Sequence, residues 1–133
     1  KLVAEGAGAV PVAAALFHKL PIEGKKVVCV ISGGNIDVNI LSRVITRGLV
    51  MSGRKANLTI ALEDKPGQLQ RVAEIVSRCG SNVVSVLHDG SDPNMPISSC
   101  FLKLTLETRD AVQIEQIRAE LTKEGFQLVS ERV

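Results

Sequence analysis

A strict alternation of apolar and polar side chains late in the chain constrains its fold more than any other feature. Between Leu102 and Glu107, three leucines alternate with three polar or charged residues. A two-residue period is typical of a strand that packs one face on a core and exposes the other. Strands of this kind belong mostly to antiparallel sheets. We therefore expect an antiparallel sheet with one covered face.

The segments around this strand predict the order of elements in the second half of the chain. Apolar periodicity and turn residues predict four strands, at 57–63, 82–89, 97–107 and 126–133. They also predict two helices, at 64–80 and 108–125. Asp64 can cap the first helix and Gly80 can end it, and Asp110 and Gln113 have capping-box spacing in the second. The order βαββαβ predicts a ferredoxin-like α+β fold with both helices on one face.

The predicted helices have apolar faces that would cover this sheet. In the first helix we expect one face made of Leu69, Val72, Ala73, Val76 and Cys79. In the second helix, Ile114, Ile117 and Leu121 recur at helical spacing. The second half of the chain can therefore bury a core of its own.

The first half has a different pattern. A helix is predicted over 8–20, with Pro11 tolerated in its first turn. The near-continuous apolar run 26–31 predicts a strand buried on both faces, and a second helix is predicted over 37–47, ending at Gly48. One strand cannot form a sheet. We therefore expect residues 1–53 to be a remnant of a larger α/β domain and residues 54–133 to be a complete domain.

Composition narrows the possible partners. The net charge is +2, with basic and acidic residues well mixed and only 2% aromatics, which argues against nucleic acid. The longest apolar run, 7–17, is too short to span a bilayer and contains a proline. It also lacks the features of a signal peptide. The chain does not begin with methionine, which suggests a piece of a longer protein.

The three cysteines indicate structural thiols. Cys29, Cys79 and Cys100 are an odd number and are widely spaced, and no C-x-x-C pair or histidine cluster accompanies them. We expect reduced, buried thiols in a cytosolic protein, and no metal site.

Two short motifs in the second half resemble the ACT domain, a small regulatory module that binds amino acids. They are Asp64-Lys65-Pro66-Gly67-Gln68-Leu69 at the first strand–helix turn and Gly80-Ser81-Asn82-Val83 before the second strand. The resemblance implies an effector site made of Asp64, Pro66, Gly67, Gln68, Leu69 and Asn82. In that site Asp64 would take the ammonium group of the ligand, and Gly67 would keep the helix N-terminus accessible to its carboxylate. Asn82 would bridge to a neighbouring copy.

A purely structural interpretation of these residues stays open. Asp64 could be only a helix cap, Pro66-Gly67 only a turn, and Asn82 only the first residue of a strand. Leu62 occupies a position where some ACT domains carry histidine, which leaves the ligand open. His88 is interpreted as a hinge or surface residue rather than a catalyst.

The first half resembles the end of the catalytic domain of pyridoxal-phosphate (PLP) threonine or serine ammonia-lyases. The matching stretches are Glu5-Gly6-Ala7-Gly8-Ala9 and Ser32-Gly33-Gly34-Asn35-Ile36-Asp37, and residues 88–97 resemble a linking segment of the same lyases. The resemblance implies a cofactor-binding set made of Ser32, Gly33, Gly34, Asn35 and Glu5. Ser32 would hydrogen-bond the pyridine nitrogen, the glycines would let the backbone approach the ring, and Asn35 would fix the turn or cap the next helix. The alternative is an ordinary glycine turn.

The motifs that are missing limit the expected activity. PLP chemistry needs a Schiff-base lysine and a phosphate cradle, which the family supplies upstream of the matching region. This sequence contains neither motif. We therefore expect PLP in the parent enzyme but not in this segment alone, which should be inactive by itself.

Three functions remain open. The first is the regulatory, amino-acid-binding part of a PLP-dependent threonine ammonia-lyase, which controls that lyase allosterically. The second is a lyase part that is active only together with a further segment, and the third is a ligand-free oligomerisation module. Isoleucine, valine, threonine and serine are the candidate effectors. ACT domains usually pair through their sheets, so a homo-oligomer is expected.

Overall fold

A computed structural model describes residues 2–93 and 95–129. The chain forms two compact units, residues 1–45 and residues 46–133. The dividing point lies within a helix, so the domain boundary expected at residue 54 stays a prediction. None of the described helices is long and apolar enough to cross a membrane.

The first unit contains helix α1, Gly6–Leu16, and the start of helix α2, Val38–Met51. Helix α1 begins two residues earlier than predicted, so Pro11 lies inside the helix and not in its first turn. Asp37 precedes α2, and its Oδ1 accepts hydrogen bonds from the amides of Asn39 and Ile40, at 2.8 and 3.2 Å. These two bonds satisfy amides that have no partner within the helix.

Two predictions for the first half are wrong. Residues 26–31 form no strand, and Val28 is 90% exposed. No described strand lies beside this run, so its backbone has no ladder to join. Helix α2 does not end at Gly48 but continues to Met51. Beyond Met51 the chain leaves the helix through Gly53, which adopts a φ of +68°, while the amides of Gly53 and Arg54 donate to the carbonyls of Val50 and Leu49.

The second unit has the predicted order of elements. They are β1 (Lys55–Glu63), α3 (Gln68–Arg78), β2 (Asn82–Asp89), β3 (Ser99–Glu107), α4 (Ala111–Lys123) and β4 (Gln127–Val129). The sheet order is β2-β3-β1-β4 and every neighbouring pair is antiparallel. The predicted ferredoxin-like α+β fold is confirmed. The part of the last predicted strand beyond residue 129 lies outside the described residues.

The register of the sheet fixes which residues share a face. In the centre, β1 pairs with β3 so that Leu62 lies opposite Cys100 and Ile60 opposite Leu102. On the other side of β3, His88 of β2 also lies opposite Leu102. The β2–β3 register shifts between Val83 and Ser85, so β2 carries an irregularity near its start.

The core lies between one face of the sheet and the two helices. Leu102, Leu104 and Leu106 are buried as their alternation predicts. They pack in one cluster with residues from both helices: Val72, Ile75, Val76, Cys79, Ile117 and Leu121. The expected face of α3 needs correction, because Ile75 is buried whereas Leu69 and Ala73 are exposed. The buried stripe follows i, i+3, i+4 and i+7 from Val72, and Leu69 lies in the first turn outside it.

The two helices are connected through Gln113. Its amide donates to Asp110 Oδ1 at 2.8 Å, as the predicted cap requires. Its side-chain oxygen accepts from the Arg109 amide at 2.7 Å, and its side-chain nitrogen donates to the Cys79 carbonyl, also at 2.7 Å. Gln113 is only 2% exposed, so a buried amide connects the start of α4 to the end of α3.

The predicted cap of α3 by Asp64 is wrong. The helix begins at Gln68, and the preceding residue is Gly67, with a φ of +89° and no side-chain cap. Among the described residues, no amide of the first turn donates to the Asp64 side chain. The aspartate is therefore available for another role.

The cysteines differ in burial. All three are free thiols, and Cys79 and Cys100 are buried as predicted, but Cys29 is only partly buried. Burial, reinforced by the nearby Glu120 carboxylate, raises the pKa of Cys79. Burial together with the Asp64 carboxylate raises the pKa of Cys100. Both buried thiols are therefore uncharged at neutral pH.

Candidate functional site

A cavity of about 340 Å³ lies where β1 leads into α3. Five of the six predicted effector residues line it, together with Leu62, Lys65, His88 and Leu102. The five are Asp64, Pro66, Gly67, Gln68 and Leu69. The cavity is at the small end of the range for ligand sites, which suits a molecule of few atoms.

The start of α3 offers donors to this cavity. Among the described residues, no backbone carbonyl accepts from the amides of Leu69 and Gln70. The positive end of the helix dipole lies at the same place. A Cβ added to Gly67 would meet no atom within 4 Å, so the space beside Gly67 is open. The arrangement can accept a carboxylate.

Asp64 supplies a negative charge at the same cavity. Its amide donates to the Ser98 carbonyl at 2.8 Å, which fixes the backbone. Its carboxylate Oδ1 lies 3.4 Å from His88 Nε2, and both side chains are about half exposed. Because this carboxylate does not cap α3, it can face a ligand that carries a positive charge.

The remaining lining is partly aliphatic. Leu62, Leu69 and Leu102 contribute apolar surface, and Leu102 is buried in the core. The ammonium group of Lys65 is 2.6 Å from a Glu63 carboxylate oxygen, which occupies its charge. A carboxylate-binding helix end, one acid and an aliphatic wall together match the three parts of an α-amino acid.

Asn82 lies elsewhere in the chain. It is at the opposite end of β2 from His88, roughly 20 Å away at strand spacing. Its side-chain nitrogen donates to Glu107 Oε2 at 3.2 Å, and it lines a separate cavity of about 510 Å³. Within one chain, Asn82 therefore does not join the other five residues.

His88, Lys65 and Cys100 are near the candidate site but are absent from the predicted set. His88 is half exposed as expected. It belongs to strand β2 and pairs with Leu102 of β3, so it does not lie in a hinge. The βαββαβ order already implies that these residues lie near the candidate site. Antiparallel pairing brings the last residues of β2, the first residues of β3 and the last residues of β1 to the same end of the sheet.

The two glycine-rich stretches of the first unit contact each other. The Glu5 amide donates to the Gly33 carbonyl at 3.2 Å. Gly8 is buried, and a Cβ there would lie 1.8 Å from the Ser32 carbonyl oxygen. Gly33 has a φ of +76°, and a Cβ there would meet the Glu5 carboxylate at 2.5 Å. The backbone contact therefore requires glycine at Gly8, and the positive φ favours glycine at Gly33.

The predicted cofactor residues form one exposed surface in this unit. Ser32, Gly33, Gly34 and Asn35 are all exposed, and Glu5 lies against Gly33. Asp37 caps α2, so Asn35 does not have that role. The assignment of these five residues to a cofactor site stays a prediction. The sequence offers no Schiff-base lysine motif, so no step through PLP is assigned to this chain.

Two known proteins are similar to this chain over nearly its full length. It is 48% identical to an L-threonine ammonia-lyase of Thermotoga maritima over 128 residues, which are 96% of this chain and 32% of that protein. It is 40% identical to an L-threonine ammonia-lyase of Geobacter sulfurreducens over 126 residues, which are 95% of this chain and 31% of that protein. The resemblance to the threonine ammonia-lyases is confirmed. The chain spans about a third of the length of these relatives.

A shorter match covers half of the chain. The L-threonine dehydratase biosynthetic IlvA of Lactococcus lactis is 44% identical over 69 residues, which are 52% of this chain and 17% of that protein. No protein-family model matches the chain.

Two solved structures are similar in shape. The ACT domain from GTP pyrophosphokinase of Chlorobium tepidum aligns with 56% of this chain and 96% of its own, at 15% identity and a TM-score of 0.43. Prephenate dehydratase from Arthrobacter aurescens, in complex with L-Phe, aligns with 59% of this chain and 27% of its own, at 14% identity and a TM-score of 0.43.

Proposed function

We propose that residues 54–133 are an amino-acid-binding regulatory domain of the ACT type, within a PLP-dependent threonine ammonia-lyase. The observation that carries this proposal is the cavity at the start of α3, in which an acid, free helix amides and aliphatic side chains lie together. The relatives of this chain are named L-threonine ammonia-lyases, which supports the choice of parent enzyme.

The ligand would bind through its two charged groups. Its carboxylate would accept from the open amides at the start of α3, and its ammonium group would face the Asp64 carboxylate. Charge-assisted hydrogen bonds of this kind contribute about 1.5–3 kcal/mol each. Both ends of the ligand are thereby recognised, while its side chain is left to the aliphatic wall.

The lining favours an aliphatic effector. Leu62, Leu69 and Leu102 offer no hydrogen bond to a ligand side chain, so a hydroxyl placed against them would lose its bonds to water. We therefore propose valine or isoleucine ahead of threonine or serine. Regulation would follow if the ligand bound one arrangement of the parent enzyme more tightly than another.

Isothermal titration of the purified chain with the four amino acids tests the proposal. We expect heat from isoleucine or valine, at one site per chain. Asp64→Asn should weaken binding roughly 10- to 100-fold, the loss of one charge-assisted bond. Glu74→Gln is the matched control, because Glu74 lies exposed on α3 and does not line the cavity.

Two outcomes would contradict the proposal. One is the absence of heat from all four amino acids with a folded protein. The other is an equal affinity of the Asp64→Asn variant and the wild-type chain for the amino acid, which would mean that the ligand binds elsewhere.

The edge strand β2 supports a second candidate, a ligand-free assembly module. β2 is eight residues long, has a neighbour on one side only among the described strands, and exposes Val84 and Leu87 by 52% and 57%. Such an edge can pair with the same strand of a second copy. Sedimentation equilibrium should then show a dimer that Leu87→Lys weakens, and amino acids should produce neither heat nor a change in mass.

A further inference from the structure

Three side chains with metal-binding atoms meet at one end of the sheet. Asp64 follows β1, His88 belongs to β2 and Cys100 to β3. One oxygen, one nitrogen and one sulfur atom from these residues all lie within 4.8 Å of one another. Among the described residues, no other three histidine, cysteine or acidic side chains are so arranged.

The fold itself brings these residues together. Leu62 lies opposite Cys100, and His88 lies opposite Leu102. Directly opposed residues share a face, and so do residues two apart along a strand. Cys100 and His88 therefore lie on the helix-covered face, and Asp64 follows two residues after Leu62. The register of β1, β2 and β3 thus brings the backbones of these three residues to the same end of the sheet.

The burial of the cluster is uneven. Cys100 is fully buried, whereas the side chains of His88 and Asp64 are 50% and 57% exposed. The sulfur thus lies on the protein side and the nitrogen and oxygen on the solvent side. A centre with three protein ligands and one open position is the usual form of a zinc site that exchanges its fourth ligand.

We propose that Asp64, His88 and Cys100 bind a divalent cation that accepts sulfur and nitrogen ligands, Zn²⁺ in particular. The fourth position would hold a water molecule. Magnesium and calcium prefer all-oxygen sites and do not suit a thiolate. An ordinary Asp64–His88 ion pair would need no thiol nearby, whereas here the Cys100 sulfur lies within 4.8 Å of both partner atoms.

Cobalt titration of the reduced, metal-free 133-residue chain tests this site. We expect one Co²⁺ per chain, with a near-ultraviolet sulfur-to-cobalt charge-transfer band that Zn²⁺ abolishes. Cys100→Ser should remove the band and weaken Zn²⁺ binding at least about 100-fold, because even outer-shell changes cost 10–100-fold. Cys79→Ser is the matched control, since Cys79 is also buried but belongs to no such group.

His88→Ala provides a second variant that does not disturb the core. His88 is half exposed, so its removal should leave the fold intact and still weaken cobalt binding. Zn²⁺ should raise the unfolding temperature of the unchanged chain but not that of His88→Ala. A band that survives Cys100→Ser, or no band with excess cobalt, would overturn the proposal.

This site and the amino-acid site can fail separately. They share Asp64, but the carboxylate remains in Cys100→Ser. Titration of metal-free Cys100→Ser with isoleucine or valine should therefore still give heat if the proposed function holds. Heat on titration with an amino acid, without any cobalt binding, would support the amino-acid site and contradict the metal site.

Discussion

At the scale of single residues, Gln113 shows how much one buried side chain can connect. It satisfies the Arg109 amide and the Cys79 carbonyl while its own amide is capped by Asp110. Gln113→Leu keeps the size but leaves two backbone groups without partners. We expect a loss of about 2–5 kcal/mol in the free energy of unfolding, measured with urea.

The matched control is Gln116→Leu, in the same helix but exposed. Its stability should change by less than about 0.5 kcal/mol. Equal effects of the two substitutions would mean that the Gln113 hydrogen bonds contribute nothing.

In the first unit, Gly8 is the residue at which a single change should have the largest local effect. An added Cβ would lie 1.8 Å from the Ser32 carbonyl oxygen, so Gly8→Ala must separate the two stretches. Overpacking of this kind costs about 1–3 kcal/mol. The Glu5 amide, bonded to Gly33, should then exchange its hydrogen roughly 10- to 100-fold faster, as read by mass spectrometry.

Gly6→Ala provides the comparison, because a Cβ at Gly6 meets no atom within 4 Å. Exchange at Glu5 should be unchanged or slower there. Faster exchange in both variants would attribute the effect to the helix rather than to the contact.

The buried thiol of Cys79 gives stability a dependence on pH. Its pKa is raised in the folded chain, mainly by burial and then by Glu120, with Arg78 acting in the opposite direction. Above the ordinary thiol pKa of about 8.5, the unfolded chain loses a proton that the folded chain keeps. Stability should therefore fall as the pH rises from about 8.5 through the folded pKa.

Urea unfolding at pH values of about 7.5 and 9.5 measures this slope on both sides of the thiol pKa. Cys79→Ala should make the fall smaller, whereas Cys29→Ala, at the less buried thiol, serves as the control. A slope that Cys79→Ala leaves unchanged would contradict the assignment.

At the scale of elements, the sequence predicts best where apolar periodicity has a partner surface. The leucines of β3 and the order of the six elements in the second unit follow from local pattern, because each element has one face to bury. The start of α3 is less predictable. Asp64 has the right type for a cap, but whether it reaches the first turn depends on how Pro66 and Gly67 lead the chain into the helix.

The run 26–31 shows the limit of the same reasoning. Its composition is that of a buried strand, yet a strand needs a neighbour, and sequence pattern carries no information on whether one is present. The candidate site has the same dependence. Residues 64–69 were predictable as one turn, but the proximity of His88 and Cys100 depends on the register of the sheet.

A pair of valines tests this difference between the segments. Val28 is 90% exposed and Val72 is fully buried. Val28→Ala should change the free energy of unfolding by less than about 0.5 kcal/mol, and Val72→Ala should cost about 2 kcal/mol for two buried methyl groups and the space they leave. A comparable cost for Val28→Ala, measured by urea unfolding, would mean that this run is packed in solution.

At the scale of the whole molecule, the two units suggest different roles. Residues 46–133 bury a continuous core and contain the cavity, whereas residues 2–45 expose most of their large apolar side chains. Under the proposed function, the first unit would belong to the lyase and the second would bind its effector. Asn82, far from the cavity in one chain, could contribute only if a second copy supplied it.

Amide chemical shifts, recorded by NMR during titration with isoleucine or valine, test the regulatory proposal most directly. We expect the largest changes at Gly67, Gln68, Leu69 and Gln70, with smaller ones at His88 and little change over residues 5–45. Saturable shifts centred on the start of α3 would establish an amino-acid site there. Unchanged shifts at these amides, or changes centred on another part of the chain, would contradict it.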